Sequence, residues 1–219
     1  MRAVVRLALT AAVATLAVGC TPGTGTSDKT GSSGSPTASG TATGGPTRAI
    51  PTGAGPQRKY TVEAQPAKGS CHYRHDKGQP LEDPACTPGA LNPDVTQADL
   101  ATTICRKGGY TAGIRPPAYI TAKEKRLSAV SYDYTGTSRD SEYDHLISLQ
   151  LGGDPNDPRN LWVEPPSPGH KSGAGPNNPK DVVETKLHTA VCRGTIKLAQ
   201  AQQAIVTDWS TALTRLGLA

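Results

Sequence analysis

The chain has no phenylalanine and only 4% aromatic residues among its 219 positions, while glycine and proline number 24 and 19. Large apolar side chains supply most of the surface that a core buries, so part of this chain cannot fold. Long apolar runs are missing as well, since the run from Leu7 to Val18 is too short to cross a bilayer. The composition predicts a folded domain of modest size next to a segment that has no core.

The chain also lacks a strong excess of either charge. Its formal net charge is +5, and removal of Arg2 and Arg6 with an N-terminal signal leaves +3. This excess is too small to predict nucleic-acid binding by itself. The basic residues that could contact phosphate near the motif described below are Lys123, Lys125, Arg126, Arg139, Arg159, Lys171 and Lys180. Dispersed solvating charge explains them equally well.

Residues 1–19 have the layout of an export signal, because two arginines precede the apolar run and small residues precede Cys20. Cys20 resembles the lipidation site of a lipoprotein signal, with an ordinary cleaved signal as the alternative. We expect an extracytoplasmic protein that is held on the cell membrane by a lipid at Cys20, or is secreted if Cys20 is not lipidated. Residues 20–58 are dominated by Thr, Gly, Ser, Pro and Ala and predict a disordered tether.

Four cysteines follow the tether, an even number that predicts two disulfides in an exported protein. Three pairings are open from the sequence. We favour a local bond between Cys71 and Cys86 and a long-range bond between Cys105 and Cys192, the second contributing about 4 to 5 kcal/mol by loop closure. A zinc site at Cys71 and the nearby histidines is a weaker alternative, because no second ligand pair completes a tetrahedral set.

Residues 59–219 are predicted to form one α+β domain. Helices are predicted over Lys180 to Cys192 and from Leu198 to about Leu216, where apolar residues recur with helical spacing. The run from Tyr143 to Leu151 predicts a strand, and Asn160 to Val163 predicts a returning strand after a turn rich in Gly, Asp and Pro. The order in this part of the domain is therefore strand, strand, helix.

The predicted hairpin and its flanks carry a specific resemblance. The residues concerned are Glu142-Tyr143-Asp144-His145-Leu146-Ile147, Leu149, Leu151-Gly152-Gly153, Asp157-Pro158 and Asn160-Leu161-Trp162. They look like the HNH, or His-Me finger, endonucleases. Exported bacterial members of that group also have segments like Cys86-Thr87-Pro88-Gly89-Ala90, Thr103-Ile104-Cys105, Arg115-Pro116-Pro117, Lys180-Asp181, Glu184, Leu187-His188, Val191-Cys192, Ala201-Gln202 and Asp208-Trp209. The resemblance covers nearly all of residues 60–217 and implies a small ββα-metal core, surrounded by helices and stapled by disulfides.

What the resemblance implies is metal-assisted hydrolysis of phosphodiester bonds. An imidazole suits proton transfer near neutral pH, so His145 is the expected general base. Asp144 would be a hard oxygen ligand for a divalent cation, Mg²⁺ first, with Mn²⁺ and Zn²⁺ as alternatives. Asn160 matches the middle HNH position, whose implied role is to hold the loop that carries the histidine. Because adjacent residues of a regular strand point to opposite faces, an irregularity must bring Asp144 and His145 to one cavity.

The last family position, a His or Asn on the helix, is not settled by spacing. The candidates are His170, Asn177, Asn178, Asp181, Glu184 and His188. We favour Glu184 or Asn178 as the further metal ligand.

The sequence thus predicts an exported HNH-type endonuclease that cleaves DNA, with RNA as an alternative substrate. Its predicted partners are nucleic acid and, through the N-terminal lipid, the membrane, and nothing in the sequence indicates an obligate protein partner. Two other hypotheses remain open. One is a nucleic-acid-binding module that kept the HNH fold and lost cleavage, and the other is a non-catalytic envelope lipoprotein, which the long tether favours.

Overall fold

The computed structural model describes residues 48–219, all of which belong to one compact unit. The predicted signal, the lipidation of Cys20 and most of the tether lie outside the described residues and stay predictions. The described part is mixed α+β, with two small two-stranded antiparallel sheets, helices and two disulfides. This confirms the predicted fold class at that level.

The elements follow one another in a simple order. They are β1 (Arg74–Asp76), β2 (Gln79–Leu81), a 3-10 turn (Thr111–Ile114), α1 (Ala118–Ser131), β3 (Glu142–His145), a second 3-10 turn (Leu149–Leu151), β4 (Leu161–Glu164), α2 (Lys180–Cys192), α3 (Leu198–Asp208), a third 3-10 turn (Trp209–Thr211) and α4 (Ala212–Arg215). β1 pairs with β2 and β3 pairs with β4. Strands β3 and β4 are followed by α2, which is the predicted order.

The main hydrophobic core lies among α2, α3 and the C-terminal turns. Leu187 of α2, Ile205 of α3 and Trp209 after it are all buried in one cluster. These residues recur at helical spacing, so each helix buries one apolar face and leaves the other to water. A smaller cluster, which includes Trp162 and Tyr132, packs β4 against α1. The hairpin β3–β4 is thereby held from two sides.

Two predicted element boundaries were wrong. β3 ends at His145 and does not continue to Leu151, because the chain turns into a 3-10 helix that Gly152 ends in the left-handed region at φ 76°. The last predicted helix breaks at Asp208, whose side chain accepts the Ser210 N–H and so replaces a helical bond. Local hydrogen bonds of polar side chains and the freedom of glycine overrode the apolar pattern in both places.

The segment before residue 59, which the sequence placed in the tether, packs on the domain. The Gly53 N–H donates to Leu91 O at 2.8 Å and the Leu91 N–H donates to Pro51 O at 2.9 Å. The Gly55 N–H donates to Asp154 Oδ2 at 2.6 Å. The predicted boundary at residue 58 is therefore too late, since these backbone groups bond to the domain where a free tether would leave them to water.

Both favoured disulfide pairings are confirmed. Cys71–Cys86 joins residues 15 apart in sequence, and Cys105–Cys192 joins residues 87 apart. Two disulfides indicate an oxidising, extracytoplasmic environment. Among residues 48–219, no helix combines the length and the apolar character that a membrane crossing requires.

The two disulfides should differ in what they contribute to stability. Replacing Cys105 and Cys192 by serine should lower the free energy of unfolding by about 4 to 5 kcal/mol, against about 3 kcal/mol for the Cys71 and Cys86 pair, because the longer loop restrains the unfolded chain more. Urea unfolding of the oxidised variants measures both losses. A larger loss for the shorter loop would contradict this order.

Gly153 should tolerate no side chain. A Cβ there would collide with the carbonyl oxygen of Ile147 and lie 2.7 Å from Asn160 Nδ2. Gly153→Ala should therefore lower the unfolding free energy by about 2 to 3 kcal/mol. The matched control is Gly113→Ala, where a Cβ meets no atom within 4 Å, and a change within about 0.5 kcal/mol is expected. Equal urea midpoints for the two variants would contradict the prediction.

Candidate active site: His145 and the acidic cluster around Lys180

The hairpin β3–β4 gathers carboxyl groups on one face. Glu142 and Asp144 are two residues apart on β3 and so share a face. In the register of the pair, Glu142 lies opposite Glu164, and Asp144 lies opposite Trp162. The Trp162 indole N–H donates to Asp144 Oδ2 at 3.1 Å. Three carboxyl groups are therefore placed together by strand geometry alone.

The first two turns of α2 add a cation and a fourth carboxyl group to these three. Lys180 is fully buried at 0% exposure, and its ammonium donates to Asp144 Oδ2 at 2.7 Å and to the carbonyl oxygen of His145 at 2.8 Å. It also forms an ion pair with Glu184, one helical turn further along α2. We call Asp144, Glu164, Lys180 and Glu184 the Lys180 cluster. The cluster joins the start of α2 to the end of β3.

Charges in the Lys180 cluster are set by burial and by mutual contact. Burial alone would lower the pKa of Lys180, but the carboxylates of Asp144, Glu184 and Glu164 outweigh it and raise that pKa above its usual value. Burial raises the pKa of Glu164 well above its usual value, and the neighbouring Asp144 carboxylate raises it further. Lys180 therefore carries its charge at neutral pH, while burial favours the protonated form of Glu164.

Asn178, one of the two favoured ligands from the helix region, is committed to other bonds. Its amide nitrogen donates to Glu142 Oε2 and to Glu164 Oε2, both at 3.1 Å. Its carbonyl oxygen accepts the backbone N–H of Lys180 at 3.0 Å. Asn178 thus caps the start of α2 and bridges two carboxyl groups, a structural role that uses its polar atoms.

His145 is held as a neutral imidazole with a defined tautomer. Its Nε2 lies 3.1 Å from the carbonyl oxygen of Pro155, and because a carbonyl can only accept, Nε2 carries the hydrogen. Burial lowers the pKa of His145 to about 4, with the nearby positive charges of Arg115 and Lys180 acting in the same direction. Nδ1 is then the unprotonated nitrogen, as a general base requires.

Asn160 holds the loop between the strands from the inside. Its side chain is fully buried, accepts the Ile147 N–H at 3.0 Å, and donates to the carbonyl oxygens of Ile147 at 3.0 Å and Asp154 at 2.9 Å. Asp154 immediately precedes Pro155, the residue that fixes His145. Asn160 therefore supports His145 through the backbone, the supporting role that the resemblance implies.

The predicted metal ligands do not meet as an open site. Asp144 and Glu184 do converge, but they converge on the ammonium of Lys180, and Asn178 bonds elsewhere. A divalent cation could reach both carboxylates only in place of that ammonium. The residues present therefore do not fit a divalent ion in this arrangement.

The other candidates from the sequence lie apart from the Lys180 cluster. His170 contacts Asp140 at 3.4 Å, and His188 Nε2 donates to the carbonyl oxygen of Ile104 at 2.8 Å. Asp181, in the first turn of α2, and Asn177, in the loop before that helix, are exposed. Partial burial raises the pKa of Asp181, and the nearby Asp144 carboxylate raises it further. None of the four contacts the ammonium of Lys180.

A second group could bind a metal. The ligand atoms of Cys105, His188 and Cys192 lie within 4.8 Å of one another. The two cysteines are joined in a disulfide, so their sulfurs become metal ligands only when that bond is reduced.

Sequence reasoning named Lys180 only as a possible phosphate contact and within a matching segment, and it missed Glu164 and the Pro155 carbonyl as parts of the site. The i, i+4 spacing of Lys180 and Glu184 was a usable signal, since it puts them on one helix face. Glu164 could have been found from strand alternation and the expected pairing of the hairpin. No sequence signal identifies the carbonyl of Pro155, because every residue has one.

The state of His145 can be read directly by NMR. Because its pKa is lowered to about 4 by burial, it should stay neutral from pH 8 down to about 5 and take up a proton only near pH 4, whereas an ordinary histidine does so near 6.5. In the unfolded chain the same histidine takes up a proton near pH 6.5. The contribution of neutral His145 to the free energy of unfolding is therefore complete above pH 6.5 and is lost as the pH falls toward 4. Imidazole ¹⁵N shifts, assigned with His145→Gln, should show hydrogen on Nε2; hydrogen on Nδ1 would contradict the geometry.

Comparison of the chain with models of known protein families, with curated proteins and with solved structures found no match in any of the three. Roles for His145 and Lys180 therefore follow from their own contacts and burial.

Proposed function

We propose that the protein is an exported HNH-type endonuclease that hydrolyses phosphodiester bonds of DNA, with RNA as the alternative substrate. The observation that carries this proposal is His145, which is held neutral with its Nε2 bonded to a carbonyl and its Nδ1 unprotonated. A neutral histidine with an unprotonated ring nitrogen can accept a proton, which is the state that a general base needs. Its place at the end of β3, opposite β4 and ahead of α2, is consistent with the resemblance.

In the proposed reaction, His145 Nδ1 takes a proton from a water molecule as the water oxygen attacks phosphorus. The bond from phosphorus to the leaving ester oxygen breaks, and that oxygen takes up a proton from solvent. The Pro155 carbonyl keeps the imidazole oriented and stabilises its N–H as positive charge develops on the ring. Asn160 fixes the loop that contains Pro155. Apart from the attacking water and the proton from solvent, these steps use only groups of this chain.

Arg115 is the basic residue best placed to contact a phosphate. It is exposed, follows the first 3-10 turn, and its charge acts on both His145 and Asp181. Arginine binds phosphate oxygens through two parallel hydrogen bonds. We assign Arg115 as a substrate-positioning residue. In the sequence analysis it stands only within the matching segment Arg115-Pro116-Pro117.

The alternative function is a nucleic-acid-binding module that keeps this fold without cleavage. The observation that favours it is the ion pairing of Asp144 and Glu184 with Lys180, which uses the carboxylates that the resemblance assigns to a metal. Binding would then depend on exposed cations such as Arg115 and would weaken steeply with salt.

Cleavage of plasmid DNA and of an RNA transcript by the exported, oxidised chain tests the proposal. Assays with Mg²⁺, with Mn²⁺ and with a chelator show whether a divalent ion is needed. His145→Ala should lower the cleavage rate by about 10² to 10⁴-fold, the usual contribution of a general base. Arg115→Ala should raise KM more than it lowers kcat.

The matched control is His75→Ala, an exposed histidine on β1 that should leave the rate unchanged. Equal traces of cleavage in the wild type and in His145→Ala would indicate a contaminating nuclease and overturn the proposal. Salt-dependent binding without cleavage in every condition would establish the binding module.

A further inference from the structure

We propose that Lys180 is the resident cation of this site: its ammonium takes the place of a divalent metal ion between Asp144 and Glu184, and such an ion binds there only when the ammonium is removed. The inference concerns metal binding and does not depend on the proposed hydrolysis.

All three hydrogens of the ammonium have partners. They are directed to Asp144 Oδ2, to the carbonyl oxygen of His145 and to Glu184 Oε1. Two carboxylates and a carbonyl are the oxygen donors that Mg²⁺ and Mn²⁺ also prefer. The site therefore offers a cation-binding set of oxygens, and a side chain of the same chain already satisfies it.

The ammonium cannot leave the site easily. Lys180 is fully buried, and moving its charge aside would leave Asp144 and Glu184 as buried carboxylates without a cation. Breaking one partner out of a buried ion pair is strongly unfavourable. A divalent ion that entered without displacing Lys180 would face a positive charge at contact distance. Both routes oppose metal binding in the intact protein.

The backbone also holds Lys180 in position. It is the first residue of α2, and its N–H is capped by Asn178 Oδ1 at 3.0 Å. Glu184 lies one turn later on the same face, so helix geometry fixes the pair. Truncating Lys180 to alanine would leave a space bordered by Asp144, Glu184 and Glu164. The Oε1 atom of Glu164 is buried and has no hydrogen-bond partner. That space has the oxygens for a divalent ion.

Mn²⁺ binding, followed by calorimetry and by the EPR signal of free Mn²⁺, tests this inference. Wild type and Lys186→Ala, which removes an exposed lysine of the same helix, should show no Mn²⁺ site that depends on Glu184. Lys180→Ala should gain one Mn²⁺ per chain, and Lys180→Ala with Glu184→Gln should lose it again.

Removal of Lys180 leaves buried charges unpaired, so Lys180→Ala is expected to fold less stably. Its folding is therefore followed by circular dichroism as Mn²⁺ is added. An unfolded variant that regains helix with Mn²⁺ supports the inference, since the ion then replaces the ammonium. A variant that neither binds Mn²⁺ nor is restored by it overturns the inference. A wild-type Mn²⁺ site that Glu184→Gln abolishes also overturns the inference. Both outcomes are independent of the cleavage assays.

Discussion

One buried ammonium group connects the parts of this domain that carry its polar chemistry. Lys180 bonds to a side chain of β3, to the last backbone carbonyl of β3 and to a side chain of its own helix. Because those partners are buried as well, no water can replace any of them at low cost. These bonds therefore join the start of α2 directly to the end of β3.

The other side of the hairpin depends on neutral hydrogen bonds. Asn160 makes three hydrogen bonds with the loop backbone, and the Pro155 carbonyl accepts a hydrogen bond from His145. Asp144 and His145 are adjacent in sequence but are held by different kinds of interaction, one by a cation and an indole and the other by a carbonyl. Along β3, a side chain held by an ion pair is thus followed directly by a side chain held by a neutral hydrogen bond.

Much of this architecture could be predicted from the sequence, and the misses have physical causes. The bounds of α2 were predicted because apolar spacing is a local signal. The even cysteine count predicted two disulfides, and the favoured one of three possible pairings is the one found. The end of β3 was not predicted. It depends on the Ile147 N–H, which donates to Asn160 across the loop, and a pattern of neighbouring residues does not indicate that bond. Lys180 was interpreted as a phosphate contact or a solvating charge, since burial of a lysine depends on partners that come together only in the fold.

The Cys105–Cys192 disulfide has a consequence for the opposite end of α2. This helix is about 20 Å long, and its last residue is bonded to Cys105 while His188, one turn earlier, donates to the neighbouring carbonyl of Ile104. Lys180 anchors the first residue. A rod fixed at both ends can neither slide nor rotate about its axis, and rotation by one residue would turn Glu184 away by about 100°. The covalent bond at the far end thus sets the angular position of the carboxylate at the near end.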